Sequence, residues 1–196
     1  MANNVSNVVA GKPLVIGGVW ASDRPATLPT DAVAALDGDF LALGYVSEDG
    51  LTEATDRSTD KVRAWGGDTV KVLQTEFATT YSFTLIEATN GAVLETVYGA
   101  DNVTTTPASA NIGTRHVVLV NADQLPHKAF VFEIQDGDAR LRIVVPDGQV
   151  TEVGEVTYSD GDVIGYEVTV EAFRDSTLNA NAVKYFNDGV PAAPAP

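Results

Sequence analysis

Carboxylates are the most numerous side chains in this sequence that could carry out chemistry. Asp-Gly-Asp triplets stand at 37–39, 136–138 and 160–162. A calcium loop alternates oxygen ligands and closes with a distant bidentate glutamate, and none of the triplets continues in that way. Two interpretations stay open: simple hairpin turns, which Asp-Gly pairs favour, or a weak calcium site assembled from several loops.

The other reactive residue types fit no catalytic or metal-binding pattern. His116 and His127 are the only histidines, and neither has a cysteine or a second histidine at ligand spacing. Glu76, Glu167 and Glu171 are carboxylates of the kind that glycosidases pair, but no cluster of aromatic residues near them could hold a sugar. The sequence has no serine elbow and no phosphate-binding glycine loop. We therefore expect a non-enzymatic protein that uses no cofactor and, apart from the calcium alternative above, no metal ion.

Composition narrows the class of protein further. The chain has 196 residues, which fits one domain, and a net charge of -15 from 12 basic and 27 acidic residues. That balance disfavours a protein that grips nucleic acid by neutralising phosphates. There is no cysteine, so disulfides are excluded. The N-terminal residues do not read as a secretory signal and no run approaches the roughly 18 apolar residues of a membrane span. We expect synthesis in the cytoplasm and no membrane partner.

Turn signals alternate with β-rich runs along most of the sequence. Asp-Gly occurs six times, and Asn90-Gly91 adds a seventh tight-turn signal. Short strands at this spacing predict a mainly β protein with an antiparallel sandwich or barrel. The runs are 14–20, 40–46, 70–87, 115–120, 129–135, 140–145, 150–158 and 163–173.

Two of these runs, 70–87 and 163–173, are longer than most strands. In each, apolar and polar residues alternate, which predicts one buried face and one wet face. Strands of this length favour a barrel shared between subunits over a small monomeric sandwich. The apolar side of the first run consists of Leu73, Phe77, Tyr81, Phe83 and Leu85.

One short flanking α-helix is predicted over 91–98. Asn90 can cap its start, and Gly99 follows where a glycine commonly ends a helix. A second short helical turn is expected over 31–36, with Thr30 as its cap.

The termini lack the patterns of packed elements. We expect a flexible N-terminal arm over 1–12, one β domain over 13–187, and a disordered Pro/Ala-rich tail over 188–196. Prolines alternate with alanines at the C-terminal end, which neither a helix nor a central strand tolerates.

Several short motifs follow one another in a characteristic order. Opening motifs at 11–13, 17–19 and 28–31 precede the segments 43–51 (LGYVSEDGL), 64–67 (AWGG) and 159–168 (SDGDVIGYEV). In this order the sequence resembles the major tail tube proteins of long, non-contractile-tailed bacteriophages, especially phages of actinobacteria. The segment 43–51 looks like the first hairpin of that family, 64–67 like the corner before its long strand, and 159–168 like its late hairpin. The segment 100–147 matches less clearly.

The resemblance implies a structural virion protein rather than an enzyme. In this family six subunits form a ring, and rings stack into a tube through which genomic DNA passes into the host. The implied partners are other copies of the chain and the tape-measure, tail-tip and tail-terminator proteins. Assembly is expected in the host cytoplasm. The alternative is a monomeric β-sandwich binding module, such as a virion decoration or adhesin domain.

The resemblance gives two surfaces a role. The polar sides of the two long strands are expected to line the DNA channel, with the outer wall as the alternative location. The polar stretch 47–61 is expected to be a loop that is mobile in the monomer and ordered between rings. The channel candidates are Glu76, Thr80, Ser82, Glu167, Thr169 and Glu171, and the inter-ring candidates are Glu48, Asp49, Thr52, Glu53, Asp56 and Arg57.

Overall fold

The computed structural model describes residues 3, 7–15 and 17–191, which form ten strands and one α-helix. The strands are β1 (Val19–Asp23), β2 (Leu41–Ala42), β3 (Val46–Arg63), β4 (Thr69–Leu85), β5 (Val103–Thr106), β6 (Arg115–Val118), β7 (Lys128–Asp136), β8 (Ala139–Val153), β9 (Tyr166–Ala172) and β10 (Val183–Asn187). Helix α1 (Gly91–Tyr98) follows β4, and a 3-10 turn (Ala100–Asn102) leads into β5.

All strand pairs in the described residues are antiparallel, and the main sheet is open. Its order is β2-β1-β7-β8-β9-β4-β3, with β10 added beside β8. Strands β5 and β6 form a separate two-stranded sheet. The predicted mainly β, antiparallel fold with one helix is confirmed.

The main sheet is curved, and β8 runs through both halves of it. Residues 140–144 of β8 pair with β7 and β10, whereas residues 148–153 pair with β9. The ring of Tyr81 on β4 stacks on Phe132 of β7 with centroids 5.2 Å apart. In a flat sheet these strands would stand roughly 14 Å apart, at about 4.8 Å per strand. The curvature encloses a core to which Val93, Leu94 and Val97 of α1 also contribute.

Two of the seven turn signals lie inside strands, which corrects two sequence-based expectations. Asp147-Gly148 lies within β8, so the predicted runs 140–145 and 150–158 are one strand that ends at Val153. A Cβ at Gly148 would stand 2.8 Å from the ring of Phe130 and 2.9 Å from Val170, so glycine serves close packing there. Asp49-Gly50 lies in β3, at an irregularity in the pairing with β4.

Helix α1 has the predicted bounds and the predicted cap. The Asn90 side chain accepts a hydrogen bond from the Ala92 N–H at 3.0 Å, and the Gly99 N–H donates to the Glu95 carbonyl. The turn expected over 31–36 is wrong as a helix. Asp31, not Thr30, accepts the Val33 and Ala34 N–H groups in a non-helical bend.

The structure describes only part of the expected N-terminal arm and C-terminal tail. Lys12 and Ala10 both bond to Asp136, which ties the inner end of the expected N-terminal arm to β7. Residues 188–191 have no regular secondary structure. The rest of the two expected flexible ends, residues 1, 2, 4–6 and 192–196, lies outside the described residues.

Candidate functional site

The six residues expected to line a channel all lie on one side of the main sheet. On β4 and β9 the paired positions are Thr80 with Glu171 and Ser82 with Thr169. Glu167 pairs with Thr84 in the same ladder. Paired residues of an antiparallel ladder point to the same side. Glu76 lies four residues before Thr80 on β4 and therefore points to that side as well. The Ser82 and Thr169 hydroxyls are 3.0 Å apart and share a hydrogen bond.

Neighbouring strands extend this side of the sheet, which we call the polar face. It carries five carboxylates, and no basic residue occupies any of its described positions. The face consists of Thr52, Ala54, Asp56 and Ser58 of β3, Glu76, Ala78, Thr80, Ser82 and Thr84 of β4, Glu167, Thr169 and Glu171 of β9, and Glu152 of β8.

The opposite side of the inner part of β4 is buried. Tyr81 and Leu85 have no exposed surface and Phe83 is 3% exposed. Burial raises the pKa of the Tyr81 phenol above its usual range, and the neighbouring Glu53 carboxylate raises it further. The predicted alternation of buried and wet positions is therefore confirmed for these three residues. It is wrong for Leu73 and Phe77, which remain 42% and 41% exposed.

The stretch 47–61 is a strand rather than a loop. It belongs to β3, which pairs with β4 from Val46 opposite Leu85 to Arg63 opposite Thr69. The sequence feature that could have indicated this hairpin is the pair of glycines at 66–67, which lies between two long polar segments. Both glycines have positive φ, 113° and 98°, and so form the turn of a long hairpin.

The six residues expected between rings do not form one cluster. Glu48 and Asp49 lie at the start of β3, whereas Thr52 and Asp56 belong to the polar face. Glu53 and Arg57 lie on the other side, where Glu53 forms a 2.5 Å ion pair with Lys184. The Arg57 guanidinium stands 4.8 Å from the centroid of the Phe77 ring and also bonds to Gln74.

Two edges of the sheet have no strand partner in the described residues. β3 is the last strand of the sheet order and pairs only with β4. Residues 150–153 of β8 pair with β9 on one side, but on the other side β7 has already ended, since its last partner in β8 is Gly148. Unpaired strand edges are templates for pairing with another chain.

The remaining charged clusters serve packing. Buried Arg142 bonds to Glu133 at 2.7 Å and to the Asp31 and Ala34 carbonyls, which holds the 31–34 bend against β8. Both histidines are bonded: His116 to the Thr105 hydroxyl at 2.9 Å and His127 to Asp147 at 2.6 Å.

Asp147 also pairs with Arg24, so two partners favour its charged form. Partial burial raises the pKa of this carboxyl, but hydrogen bonds from His127 and Arg24 outweigh burial and lower it overall. Within the described residues, no group of three acidic, histidine or cysteine side chains could hold a metal ion. No helix in the same part of the chain is long and apolar enough to cross a membrane.

Comparison with known proteins decides the family. The sequence profile of the phage tail tube protein family matches residues 1–196, the whole chain. The chain belongs to the phage tail tube protein family. It is therefore a structural component of a virion and not an enzyme, as the sequence motifs predicted. No curated protein matches the sequence.

Two solved structures resemble this tail tube protein at low similarity. The cap of the anti-feeding prophage, a tube-terminating cap, is 9% identical, with a TM-score of 0.47 over 95% of this chain and 100% of that chain. The sheath-tube complex of an extracellular contractile injection system, PVC, in its extended state is 9% identical, with a TM-score of 0.38 over 93% and 98% of the two chains. At these scores the likeness supports no further argument.

Proposed function

We propose that this tail tube protein assembles into hexameric rings that stack into a tube, and that the polar face lines a channel for double-stranded DNA. The observation that carries the proposal is the polar face itself. It spans four neighbouring strands, bears five carboxylates and no cation at its described positions, and backs onto the buried core at Thr80, Ser82 and Thr84.

The two free edges supply a way to close the ring. Four strands in the order β3-β4-β9-β8 form the sheet behind the polar face, with free edges at β3 and at residues 150–153 of β8. Since neighbours alternate in direction, β8 and β3 at the two ends of this set run oppositely. Rotation about a ring axis preserves direction along that axis, so β3 of one copy would meet β8 of the next as an antiparallel pair. Six copies would then contribute 24 strands to one closed inner barrel.

The charge of the polar face suits a conduit through which DNA slides. Phosphates are repelled by carboxylates, and short hydroxyl side chains such as those of Thr80 and Ser82 make no fixed contacts with base edges. Six copies at -15 each would place -90 on a ring. The same charge keeps free subunits soluble.

Assembly would take place in the host cytoplasm, with tail-tip, tape-measure and tail-terminator proteins as partners in line with the family. Strand β3 would be mobile in the free subunit and ordered only in the tube. Among the described residues, its outer half pairs with a part of β4 that β9 does not reach, and an isolated two-stranded hairpin is marginally stable in water.

Electron microscopy of the purified chain at high concentration tests the proposal. Hollow tubes or six-fold rings of uniform diameter are expected, with or without tail tips as seeds. Monomers alone at every concentration and with every seed would overturn the proposal and favour a monomeric binding module.

A disulfide between the two edges tests how the ring closes. The chain has no cysteine, so Ala54→Cys on β3 combined with Thr151→Cys on β8 can link only engineered positions, and both sites are exposed. Oxidation of assembled material should give a ladder of covalent species up to the hexamer on denaturing gels. Either single variant is the matched control and should stop at dimers. If rings form but neither this pair nor neighbouring positions on the two edges give a ladder, the edge pairing is wrong.

A further inference from the structure

A bulge interrupts the pairing within the hairpin of β3 and β4. The pairing jumps between Ser58–Glu76 and Thr59–Gln74. Beyond this point, residues 59–74 form what we call the outer hairpin, and all of them are exposed. Its end lies far from the point where the hairpin begins, since 17 residues of strand at about 3.3 Å each extend over roughly 55 Å.

The outer hairpin exposes apolar surface that no other described residue covers. Trp65 at its turn is 108% exposed. Four further large apolar side chains stand along the two strands next to it, which makes this an unusual surface for a soluble subunit. They are Val62, Val70, Val72 and Leu73, at 42%, 62%, 55% and 42% exposure.

The charge of the outer hairpin is opposite in sign to the rest of the chain. Three of the chain's 12 basic residues, Lys61, Arg63 and Lys71, and two of its 27 acidic residues lie there. The segment therefore carries +1, and the remaining residues carry -16. None of the three cations has an ion-pair partner among the described residues.

The surface at the other end of the hairpin has the complementary character. We call it the base surface: residues 43–51, 85–90 and 153–166, which meet where Val46 and Tyr166 both pair with Leu85. These segments contain no basic residue and six acidic ones. The acidic residues are Glu48, Asp49, Glu87, Glu155, Asp160 and Asp162, and all except the half-buried Glu87 are exposed.

The base surface also offers a cleft for an apolar side chain. The cleft has a volume of about 580 Å³ and is lined by Pro13, Leu14, Tyr45 and Val46, with the Glu87 carboxylate at its side. Glu87 is held in place by the Tyr45 N–H at 3.0 Å and by the Asn90 side chain. Gly44, with a φ of 75°, makes room for it, because a Cβ there would stand 2.1 Å from the carboxylate carbon.

We propose that the outer hairpin of one copy docks on the base surface of a second copy, with Trp65 in the cleft and the three cations over the acidic residues. The two surfaces are different and lie at opposite ends of the subunit. A contact of this kind is heterologous and does not close on itself, so it propagates a stack of defined polarity. The proposal rests on the proposed stacking of rings and identifies the surfaces that carry it.

Charge reversal on each surface separately provides the test. One variant carries Lys61→Glu, Arg63→Glu and Lys71→Glu. The other carries Glu48→Lys, Asp49→Lys, Asp160→Lys and Asp162→Lys. Each should lose about tenfold or more of its sedimenting assembly, since like charges now oppose the contact. Arg115→Glu, an exposed change on β6, is the control and should leave assembly unchanged.

Mixing the two variants separates this proposal from the proposed ring. In a 1:1 mixture the acidic hairpin of one variant meets the basic surface of the other, and the converse pair is also complementary, so association should return. Sedimentation velocity and electron microscopy record it, and circular dichroism checks that each variant folds. Rings that form in every sample but stack no better in the mixture would overturn the docking contact alone. An unmodified chain that neither forms rings nor associates would overturn both proposals.

Trp65→Ala tests the apolar part of the contact without a charge change. The exposed side chain contributes nothing to the core, so the subunit should fold normally while tube yield falls by about tenfold. Unchanged assembly of this variant would show that the cleft does not hold Trp65.

Discussion

The inner and outer parts of β4 follow the same rule of side-chain alternation but end in different environments. From Thr79 to Leu85, every second residue is buried, because β9 flanks the strand and the curved sheet covers one side. From Thr69 to Phe77, all residues are exposed, although valines, a leucine and a phenylalanine occur there too. Alternation therefore predicts which residues share a side. Which of the two sides is buried depends on whether another element packs against it. In the outer part that element would be another subunit.

Hydrogen exchange should show the largest difference between the two parts. Amides of 59–74 in the free subunit should exchange at least ~100-fold faster than those of 79–85, because only one partner strand protects them and they cover no core. In assembled tubes the difference should shrink. Strong protection of the outer hairpin in a verified monomer would contradict its role as an element that another copy orders.

Alanine substitutions of two phenylalanines on β4 compare how much each part contributes to the free energy of unfolding. Phe83→Ala should lower the free energy of unfolding by about 3–5 kcal/mol, since Phe83 is buried and meets Phe132 edge to face at 5.5 Å. Phe77→Ala is the matched control, and about 1 kcal/mol or less is expected because the ring is 41% exposed. Urea denaturation of the monomer measures both. Equal losses would show that the outer part is packed in solution.

Gly148→Ala probes the curved part of the sheet, where β8 passes from one half to the other. The added methyl group would press on Phe130 and Val170, at 2.8 and 2.9 Å, and should cost about 1–3 kcal/mol. Gly38→Ala serves as the control because a Cβ there meets nothing within 4 Å. A neutral Gly148→Ala would mean that the sheet can open at this point without loss.

The helix cap beside the inner part should have a smaller effect. Asn90→Ala removes the acceptor for the Ala92 N–H and the donor to Glu87, and should lower stability by about 1 kcal/mol. Asn90→Ser keeps a cap acceptor without placing a second carboxylate beside Glu87, and should retain most of the cap. Thermal unfolding of the monomer ranks the variants, and the cap interpretation fails if alanine and serine are equivalent.

The smallest expected effect is a pH dependence at Asp147. Its pKa is lowered in the fold, so its contribution to stability is present above the unfolded pKa of about 3.9 and is lost as pH falls through the folded pKa. Asp147→Asn should therefore cost about 1 kcal/mol or less near neutral pH, since Arg24 and His127 are partly exposed.

The difference between the unmodified protein and Asp147→Asn should shrink as pH falls from the unfolded pKa of about 3.9 through the lowered folded pKa, below which Asp147 itself is neutral. Denaturation at pH 3–6 measures this, with exposed Asp101→Asn as the control. A difference that grows as pH falls would have the wrong sign for a lowered pKa.

The sequence by itself determined the features that depend on near neighbours. Asn90 and Gly99 bound α1 correctly, because a cap and a terminating glycine act within a few residues. The period of two placed Tyr81, Phe83 and Leu85 on one side and Thr80 and Ser82 on the other, because successive side chains of a strand always alternate. The order of short motifs along the chain was also enough to indicate the tail tube family.

The tertiary structure determined the environment in which each of these local patterns lies. Asp147-Gly148 reads as a turn locally, but the approach of Phe130 and Val170 requires a residue without a Cβ inside β8. The stretch 47–61 lacks apolar alternation, and only its ladder with β4 makes it a strand. The acidic base surface joins segments that are up to about 120 positions apart in the chain. Burial, strand pairing and surface charge depend on residues that are far apart in the sequence. The local sequence therefore does not determine them, and the packing of the whole chain does.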